Sequence, residues 1–83
     1  MSWFVYMVRC ADNSLYTGVA KDVSRRIQEH NHDDKKGARY TRARRPVMLV
    51  YQESQTNRSD ACRREAAIKK LSRQKKLNLI QDA

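Results

Sequence analysis

Cysteine, acidic residues and long apolar runs are all scarce in this 83-residue sequence. Its two cysteines are too few for a disulfide-stabilised scaffold, so a reducing, cytoplasmic environment is the simplest expectation. It has no apolar run of membrane length and no secretory signal, which argues against a membrane protein. It also shows no internal repeat and no linker, so we expect one complete, soluble domain over residues 1–83.

Cysteine and histidine are the residue types that most often bind zinc, and the sequence has two of each. They are Cys10, Cys62, His30 and His32. No two of them have the spacing of zinc-finger ligands. We therefore expect ordinary buried thiols rather than a zinc site.

The shortage of acidic residues leaves a strongly basic chain. Nine aspartates and glutamates face 18 lysines and arginines, which gives a formal net charge of +9. In a domain of this size, such an excess indicates a polyanionic partner, most often nucleic acid. The alternative is a solvated basic surface without a specific partner. A membrane-surface role is less favoured, because no segment combines a basic face with a broad apolar one.

The first 20 residues have the pattern of a β-hairpin. Trp3–Val8 is a continuous apolar and aromatic run, typical of a strand that is covered on both faces. Residues 10–14 are turn formers, and Leu15–Ala20 is the returning strand. If Tyr6 and Tyr16 are to lie on the same face, the connecting loop must contain an odd number of residues.

The rest of the chain alternates helix and strand patterns. We predict a first helix over residues 22–31, with Asp22 as N-cap and an apolar stripe of Val23 and Ile27. A third strand follows at Val47–Gln52. A second helix is predicted over about residues 60–72, with Ser59 or Asp60 as its cap, and Arg73–Ile80 is either a short third helix or a continuation that docks on the core.

The junction of the second strand and the first helix favours a phosphate site. On a strand, Tyr16 shares a face with Gly18 and Ala20, whose small side chains leave a shallow depression. On the following helix, Arg26 and His30 are four residues apart and share a face. A phenol, a fixed cation and an imidazole can therefore gather around one depression.

One carboxylate points inward on the second long helix. Ala61 and Ile68 define the inner face of that helix, and Glu65 falls near them at about 100° per residue. An inward carboxylate is costly unless it is paired or binds a metal ion. It therefore has two readings, a metal ligand or a salt bridge to an arginine of the first helix.

A long polar segment, residues 31–45, shows neither helical nor strand periodicity, and we predict a functional loop there. Its cations around a single tyrosine suit a phosphate-gripping loop, although a merely solvated charged loop is the alternative. The proposed nucleic-acid-binding residues are Lys35, Lys36, Arg39, Arg42, Arg44 and Arg45.

Taken together, these segments resemble the GIY-YIG nuclease family, most closely its short single-domain bacterial members. The resemblance rests on the ordered set Phe4-Val5-Tyr6, Tyr16-Thr17-Gly18, an arginine ten residues after the second tyrosine, His30-Asn31 and a helical Glu65. It extends from about Trp3 to Ile80. It implies an α+β fold with a small antiparallel three-stranded sheet flanked by helices, in the order β-β-α-β-α-α.

The resemblance also implies chemistry, the hydrolysis of DNA phosphodiesters with one divalent ion, Mg²⁺ or Mn²⁺. Glu65 would bind the metal and Arg26 would neutralise the scissile phosphate, with Arg25 as the rival for that role. Tyr6 and Tyr16 would orient or deprotonate the attacking water, unless they are ordinary half-buried strand tyrosines. His30 would support proton transfer, unless it caps the end of its helix.

The resulting hypothesis is a metal-dependent DNA endonuclease of low sequence specificity, acting in DNA repair or processing. Its substrate would be single-stranded, branched or flexible DNA, and a protein partner or a second copy would help to hold it. The alternatives are a non-catalytic nucleic-acid-binding module on a nuclease fold and an interaction protein recruited to a larger repair complex.

Overall fold

The computed structural model describes residues 2–82, which form three strands and four helices. No helix in this range is both long and apolar enough to cross a lipid bilayer. In chain order the elements are β1 (Trp3–Arg9), β2 (Leu15–Ala20), α1 (Val23–His32), α2 (Arg39–Arg42), β3 (Met48–Gln55), α3 (Arg58–Lys69) and α4 (Arg73–Gln81).

The strands form one antiparallel sheet in the order β2-β1-β3. The apolar run of β1 becomes the central strand, because only there are both of its faces covered. Arg9 pairs with Leu15, so the connecting loop contains the five residues 10–14. This odd number, which the sequence pattern left open, sets Tyr6 opposite Gly18 and Val8 opposite Tyr16 and so places both tyrosines on one face.

Two apolar layers lie on the two faces of the sheet. On one face, Tyr6 and Val8 pack with Val23 of α1, and Ile27 lies against this cluster. On the other face, Val5 and Met7 pack with Ala61 and Ile68 of α3, and side chains of α4 lie around them. The sheet therefore separates α1 from α3 and α4.

Helix α1 begins where the sequence predicts. The Asp22 carboxylate accepts a hydrogen bond of 3.0 Å from the Arg25 N–H and caps the helix. Val23 is buried and Ile27 is half-buried against the sheet, so the predicted apolar stripe is confirmed. The phase of the helix then turns Arg26 and His30 toward the same end of the sheet.

The segment over residues 31–45 differs from the predicted structureless loop. It contains the end of α1 and the short helix α2, which brings the buried Thr41 hydroxyl against His30. Between the two helices, the Asp33 carboxylate accepts hydrogen bonds from the N–H groups of Lys35 and Lys36. The segment is thus ordered by polar contacts, which leave no apolar periodicity in the sequence.

The boundaries of β3 and α3 also differ from the prediction. Strand β3 continues to Gln55, because a polar edge strand can pair with β1 while its other side faces solvent. Helix α3 begins at Arg58 and is capped by Asn57, whose side chain accepts from the Asp60 N–H. The predicted cap residues, Ser59 and Asp60, lie inside the first turn instead.

Truncation of Ile68 to alanine is expected to reduce the free energy of unfolding by about 2–5 kcal/mol, because it leaves a cavity in the layer under α3. Urea unfolding followed by circular dichroism measures the change. The control is Met48→Ala, since the Met48 side chain is 67% exposed and its loss should change stability little. Equal losses in both variants would contradict the described layer.

Candidate active site

An open cavity of 340 Å³ lies beside the edge strand β2. Because neighbouring residues of a strand point to opposite faces, residues from both faces of the sheet reach it. It combines one carboxylate, two guanidinium groups, two phenols and one thiol. The lining residues are Trp3, Tyr6, Tyr16, Gly18, Val19, Arg26, Arg58, Cys62 and Glu65.

Gly18 keeps space open for the Tyr6 side chain. A Cβ atom at this position would overlap the Tyr6 hydroxyl oxygen and lie 2.6 Å from its ring carbon Cζ. No side chain larger than hydrogen is therefore compatible with this position of the Tyr6 ring. The glycine is required here by close approach, and not by an unusual backbone angle.

The Tyr6 hydroxyl forms a buried hydrogen bond of 2.7 Å with His30 Nε2. The other ring nitrogen, Nδ1, lies 2.9 Å from Thr41 Oγ1, and that hydroxyl donates to the Ala38 carbonyl at 3.0 Å. Because the Thr41 hydroxyl already donates to Ala38, this series of hydrogen bonds assigns the imidazole proton to Nδ1, and Nε2 then accepts a hydrogen bond from Tyr6. The Ala38 N–H lies farther from Nδ1, at 3.4 Å, which is long for a hydrogen bond.

Both members of this pair are neutral near pH 7. Burial, with a further contribution from the Arg26 guanidinium, lowers the pKa of His30 to about 4. Burial raises the pKa of Tyr6 to about 12, although Arg26 acts in the opposite direction. The His30 ring bonds Tyr6 and Thr41 rather than the last carbonyls of α1, so it is not a helix cap.

Of the two neighbouring arginines of α1, Arg26 is the one that reaches the cavity. Its Nη1 donates to Glu29 Oε1 at 3.0 Å and to the Lys36 carbonyl at 2.6 Å, which fixes the guanidinium. Arg25 also pairs with Glu29, at 3.4 Å, but its side chain is 70% exposed and does not line the cavity. The geometry therefore favours Arg26 over Arg25 as a phosphate ligand.

Glu65 faces the cavity from α3, on the side opposite Arg26. No salt bridge joins it to α1 within residues 2–82, so the anticipated pairing with an arginine of that helix is absent. Its carboxylate instead lies 3.4 Å from Lys69, one turn later on its own helix. Glu65 is 25% exposed, which leaves the carboxylate accessible to a ligand.

A stack of rings and charges extends outward from Tyr16. The Tyr16 ring meets the His30 ring edge to face at 5.4 Å, and Tyr40 stacks on Tyr16 at 5.7 Å. The Arg44 guanidinium lies 3.9 Å above the Tyr40 ring and forms a salt bridge of 3.0 Å with Asp12. These contacts hold the Tyr16 ring in place on one side of the site.

The six cations proposed for nucleic-acid binding fall into two groups. Three have side chains that hold the segment together: Arg42 donates to the Asp34 carbonyl, Arg44 pairs with Asp12, and Arg45 donates to the His30 carbonyl and the Asp34 carboxylate. The other three are exposed, and no carboxylate pairs with them within the described part of the chain. They are Lys35, Lys36 and Arg39.

Sequence reasoning missed Trp3, Arg58 and Cys62 as lining residues of the cavity. A helical signal was present for two of them, since Arg58 and Cys62 precede Glu65 by about two turns and one turn. The expectation of two buried thiols is right for Cys10, which lies in the layer under α1, and wrong for Cys62, which is exposed. Over residues 2–82, no three histidine, cysteine or acidic side chains form a metal-binding cluster.

This fold and this cavity define a class of protein. Residues 2–78 match the family model described as the GIY-YIG catalytic domain, and the chain belongs to the GIY-YIG family. That family is one of nucleases, so the chain has a nuclease fold.

Similar proteins agree with this assignment. A UPF0213 protein of Desulfotalea psychrophila is 58% identical over 79 residues, which cover 95% of this chain and 71% of that protein. A UPF0213 protein of Staphylococcus aureus is 56% identical over 81 residues, which cover 98% of this chain and 96% of that protein.

Two solved structures confirm the α+β fold. The solution NMR structure of a UPF0213 protein from Bacillus halodurans is 43% identical with a TM-score of 0.61, over 98% of this chain and 84% of that one. The NMR structure of a protein from E. faecalis is 39% identical with a TM-score of 0.66, over 99% of this chain and 85% of that one.

His30 is expected to titrate with a pKa of about 4 in the folded protein, below its ordinary value of 6.5. Between these values the unfolded chain binds more protons, so its contribution to stability is complete above pH 6.5 and falls toward pH 4. The fall should be on the order of 3 kcal/mol. NMR titration of the His30 ring carbons measures the pKa. A His30 pKa near 6.5 would contradict a buried neutral ring.

Proposed function

We propose that the chain is a metal-dependent DNA endonuclease that hydrolyses phosphodiester bonds in the cavity beside β2. The observation that supports this most is the convergence of Tyr6, Tyr16, Arg26 and Glu65 on one cavity from four different elements. A buried structural cluster would have no need to leave a carboxylate and a guanidinium facing the same open space.

Arg26 binds the scissile phosphate in this mechanism. A guanidinium stays charged at any working pH and can donate two parallel hydrogen bonds to phosphate oxygens. Its anchoring by Glu29 and the Lys36 carbonyl holds it in place before substrate arrives. Such fixed charge lowers the barrier because it needs no rearrangement as negative charge develops on the phosphoryl group.

Tyr6 and Tyr16 position the attacking water. Because the Tyr6 hydroxyl donates a hydrogen bond to His30 Nε2, its oxygen lone pairs are free to accept a hydrogen bond from water. With a pKa of about 12, Tyr6 keeps its proton at neutral pH, which favours orientation of the water over its deprotonation. Tyr16 is half-buried on the same face and provides the second phenol at the cavity.

Glu65 is the group that would hold the metal ion. The donor set at the cavity fits Mg²⁺ or Mn²⁺, because it offers a carboxylate beside open space, and these ions need few protein ligands and keep several waters of their own. When bound, such an ion lowers the pKa of a coordinated water and stabilises the leaving oxyanion. Glu65 itself supplies the fixed negative charge that makes binding there favourable.

The surface around the cavity suits DNA with little sequence preference. The net charge of +9 and the exposed Lys35, Lys36 and Arg39 favour contacts with phosphates, which carry no base information. Structured or flexible DNA, as arises in repair and processing, is the substrate class we propose. A protein partner or a second copy of the chain would add the DNA contacts that so small a chain cannot supply alone.

A non-catalytic DNA-binding module is the second candidate, and one contact favours it. Lys69 lies 3.4 Å from Glu65 and could neutralise the carboxylate in place of a metal ion. In that case the cavity would bind a phosphate without cleaving it.

Glu65→Gln is expected to lower the rate of DNA cleavage in Mg²⁺ or Mn²⁺ more than ~100-fold, since a bound metal ion contributes several kcal/mol to such reactions. The matched control is Asp60→Asn, which removes the same charge from the same helix but lies outside the cavity. Gel assays with single-stranded, branched and duplex DNA give the rates. If the wild type binds all three and cuts none, the second candidate is correct.

Arg26→Ala is expected to lower cleavage by about 100- to 1,000-fold, as the loss of one preorganised donor to an oxyanion does. Arg25→Ala removes the same charge one position earlier and should retain most activity, because Arg25 points to solvent. Single-turnover rates with saturating DNA separate this effect from binding. A larger loss for Arg25→Ala than for Arg26→Ala would exchange their proposed roles.

A further inference from the structure

Trp3 stands at the rim of the proposed active site. It is the only tryptophan of the sequence, and it opens β1 on the face covered by α3 and α4. Part of its indole packs against that apolar layer, while the ring also lines the cavity shared with Arg26 and Glu65. A large rigid ring is thus fixed on one side and accessible on the other.

Two cations flank this ring. Lys21 Nζ lies 5.1 Å from the ring centroid, and the Arg58 guanidinium carbon lies 5.9 Å from it, both within the range of cation–π contacts. Both side chains are exposed, and within residues 2–82 no carboxylate forms a salt bridge with either. They come from different elements, since Lys21 follows β2 and Arg58 begins α3.

An aromatic ring with two cations over it, neither of them paired with a carboxylate among the described residues, offers the two kinds of contact that a nucleotide makes, stacking for the base and charge for the phosphate. Proteins that bind single strands stack bases on aromatic side chains and pair phosphates with neighbouring cations. In a duplex, each base face is covered by the next base pair, so only an unpaired or extruded base can stack on an indole. A purely structural role in cation–π contacts would explain why Lys21 and Arg58 lie near Trp3, but it would not explain why the ring also lines the cavity.

We propose that Trp3 stacks on an unpaired nucleobase adjacent to the scissile phosphate, while Lys21 and Arg58 hold the phosphates on either side of that nucleotide. The inference rests on the proposed function, because it takes DNA as the ligand of the cavity. It goes further by defining the substrate as a strand with at least one unpaired base at the cut. Specificity then comes from local strand structure and not from sequence.

Intrinsic fluorescence tests this directly, because all tryptophan emission comes from Trp3. The wild type is titrated with an oligothymidylate of about eight nucleotides, in EDTA so that no cleavage can occur. The matched control is a sugar-phosphate chain of the same length and charge that lacks bases. Stacking predicts strong quenching by the oligothymidylate and little by the abasic chain. Equal effects of the two ligands would overturn the proposal.

Variants give a second measurement. Trp3→Leu keeps an apolar side chain, and its dissociation constant for the oligothymidylate should rise about 5- to 150-fold, as expected for loss of one stacked base. Trp3→Tyr should recover most of the affinity. Binding of the abasic chain should change in neither variant. Circular dichroism checks that the variants fold. If Trp3→Leu does not fold, the fluorescence titration of the wild type still tests whether Trp3 stacks on a base.

The two flanking cations have their own readout. Lys21→Gln and Arg58→Gln should each reduce the slope of log affinity against log salt by about 0.7, the value for one phosphate contact on a single strand. Unchanged slopes in both variants would contradict the assigned phosphate contacts.

Failure of the inference and failure of the proposed function give different results. Base-dependent quenching without cleavage in Mg²⁺ or Mn²⁺ would support stacking and reject the nuclease. Cleavage without base-dependent quenching would keep the nuclease and reject the role of Trp3.

Discussion

The buried hydrogen bond between Tyr6 and His30 is the contact on which the site depends. It joins the central strand to α1, and each group would be costly to bury without the other. Gly18 leaves the space that the phenol needs, and the helix that carries His30 also carries Arg26, one turn earlier. The position of the cation at the cavity is therefore set by a neutral polar pair in the core.

Positive charge serves two purposes in this protein. Arg44 and Arg45 form hydrogen bonds with carboxylates and carbonyls of the protein itself, and these contacts order the segment after α1. Lys21 and Arg58, together with the exposed lysines of that segment, remain available for phosphates. The net charge of +9 therefore overstates the number of contacts available to a polyanion, and the location of each cation decides its use.

Local rules predicted much of this structure from the sequence. The two-residue period of strands requires an odd loop if Tyr6 and Tyr16 are to share a face, and the structure has a loop of that kind. The helical period places Glu65 inward, as predicted. Helix α2 was not predicted in this way, because its segment is held by polar contacts from distant residues, such as that of Thr41 with the ring of His30. The position of Trp3 at the cavity could not be predicted either, since the residues that line the cavity with it come from three other elements. Non-local polar contacts are what sequence periodicity does not encode.

Residues of β1, β2, α1 and α3 line the cavity. Because these elements are far apart in the sequence, they leave the ribosome at different times. The hairpin and α1 emerge first and bring together the phenols and the guanidinium. The carboxylate follows only with α3, which packs on both β1 and β2. Before α3 is synthesised, the chain therefore carries the groups of the basic, phosphate-attracting half of the cavity and lacks the acidic one. Packing of α3 on β1 and β2 completes the cavity, and α4, which follows in the chain, does not line it.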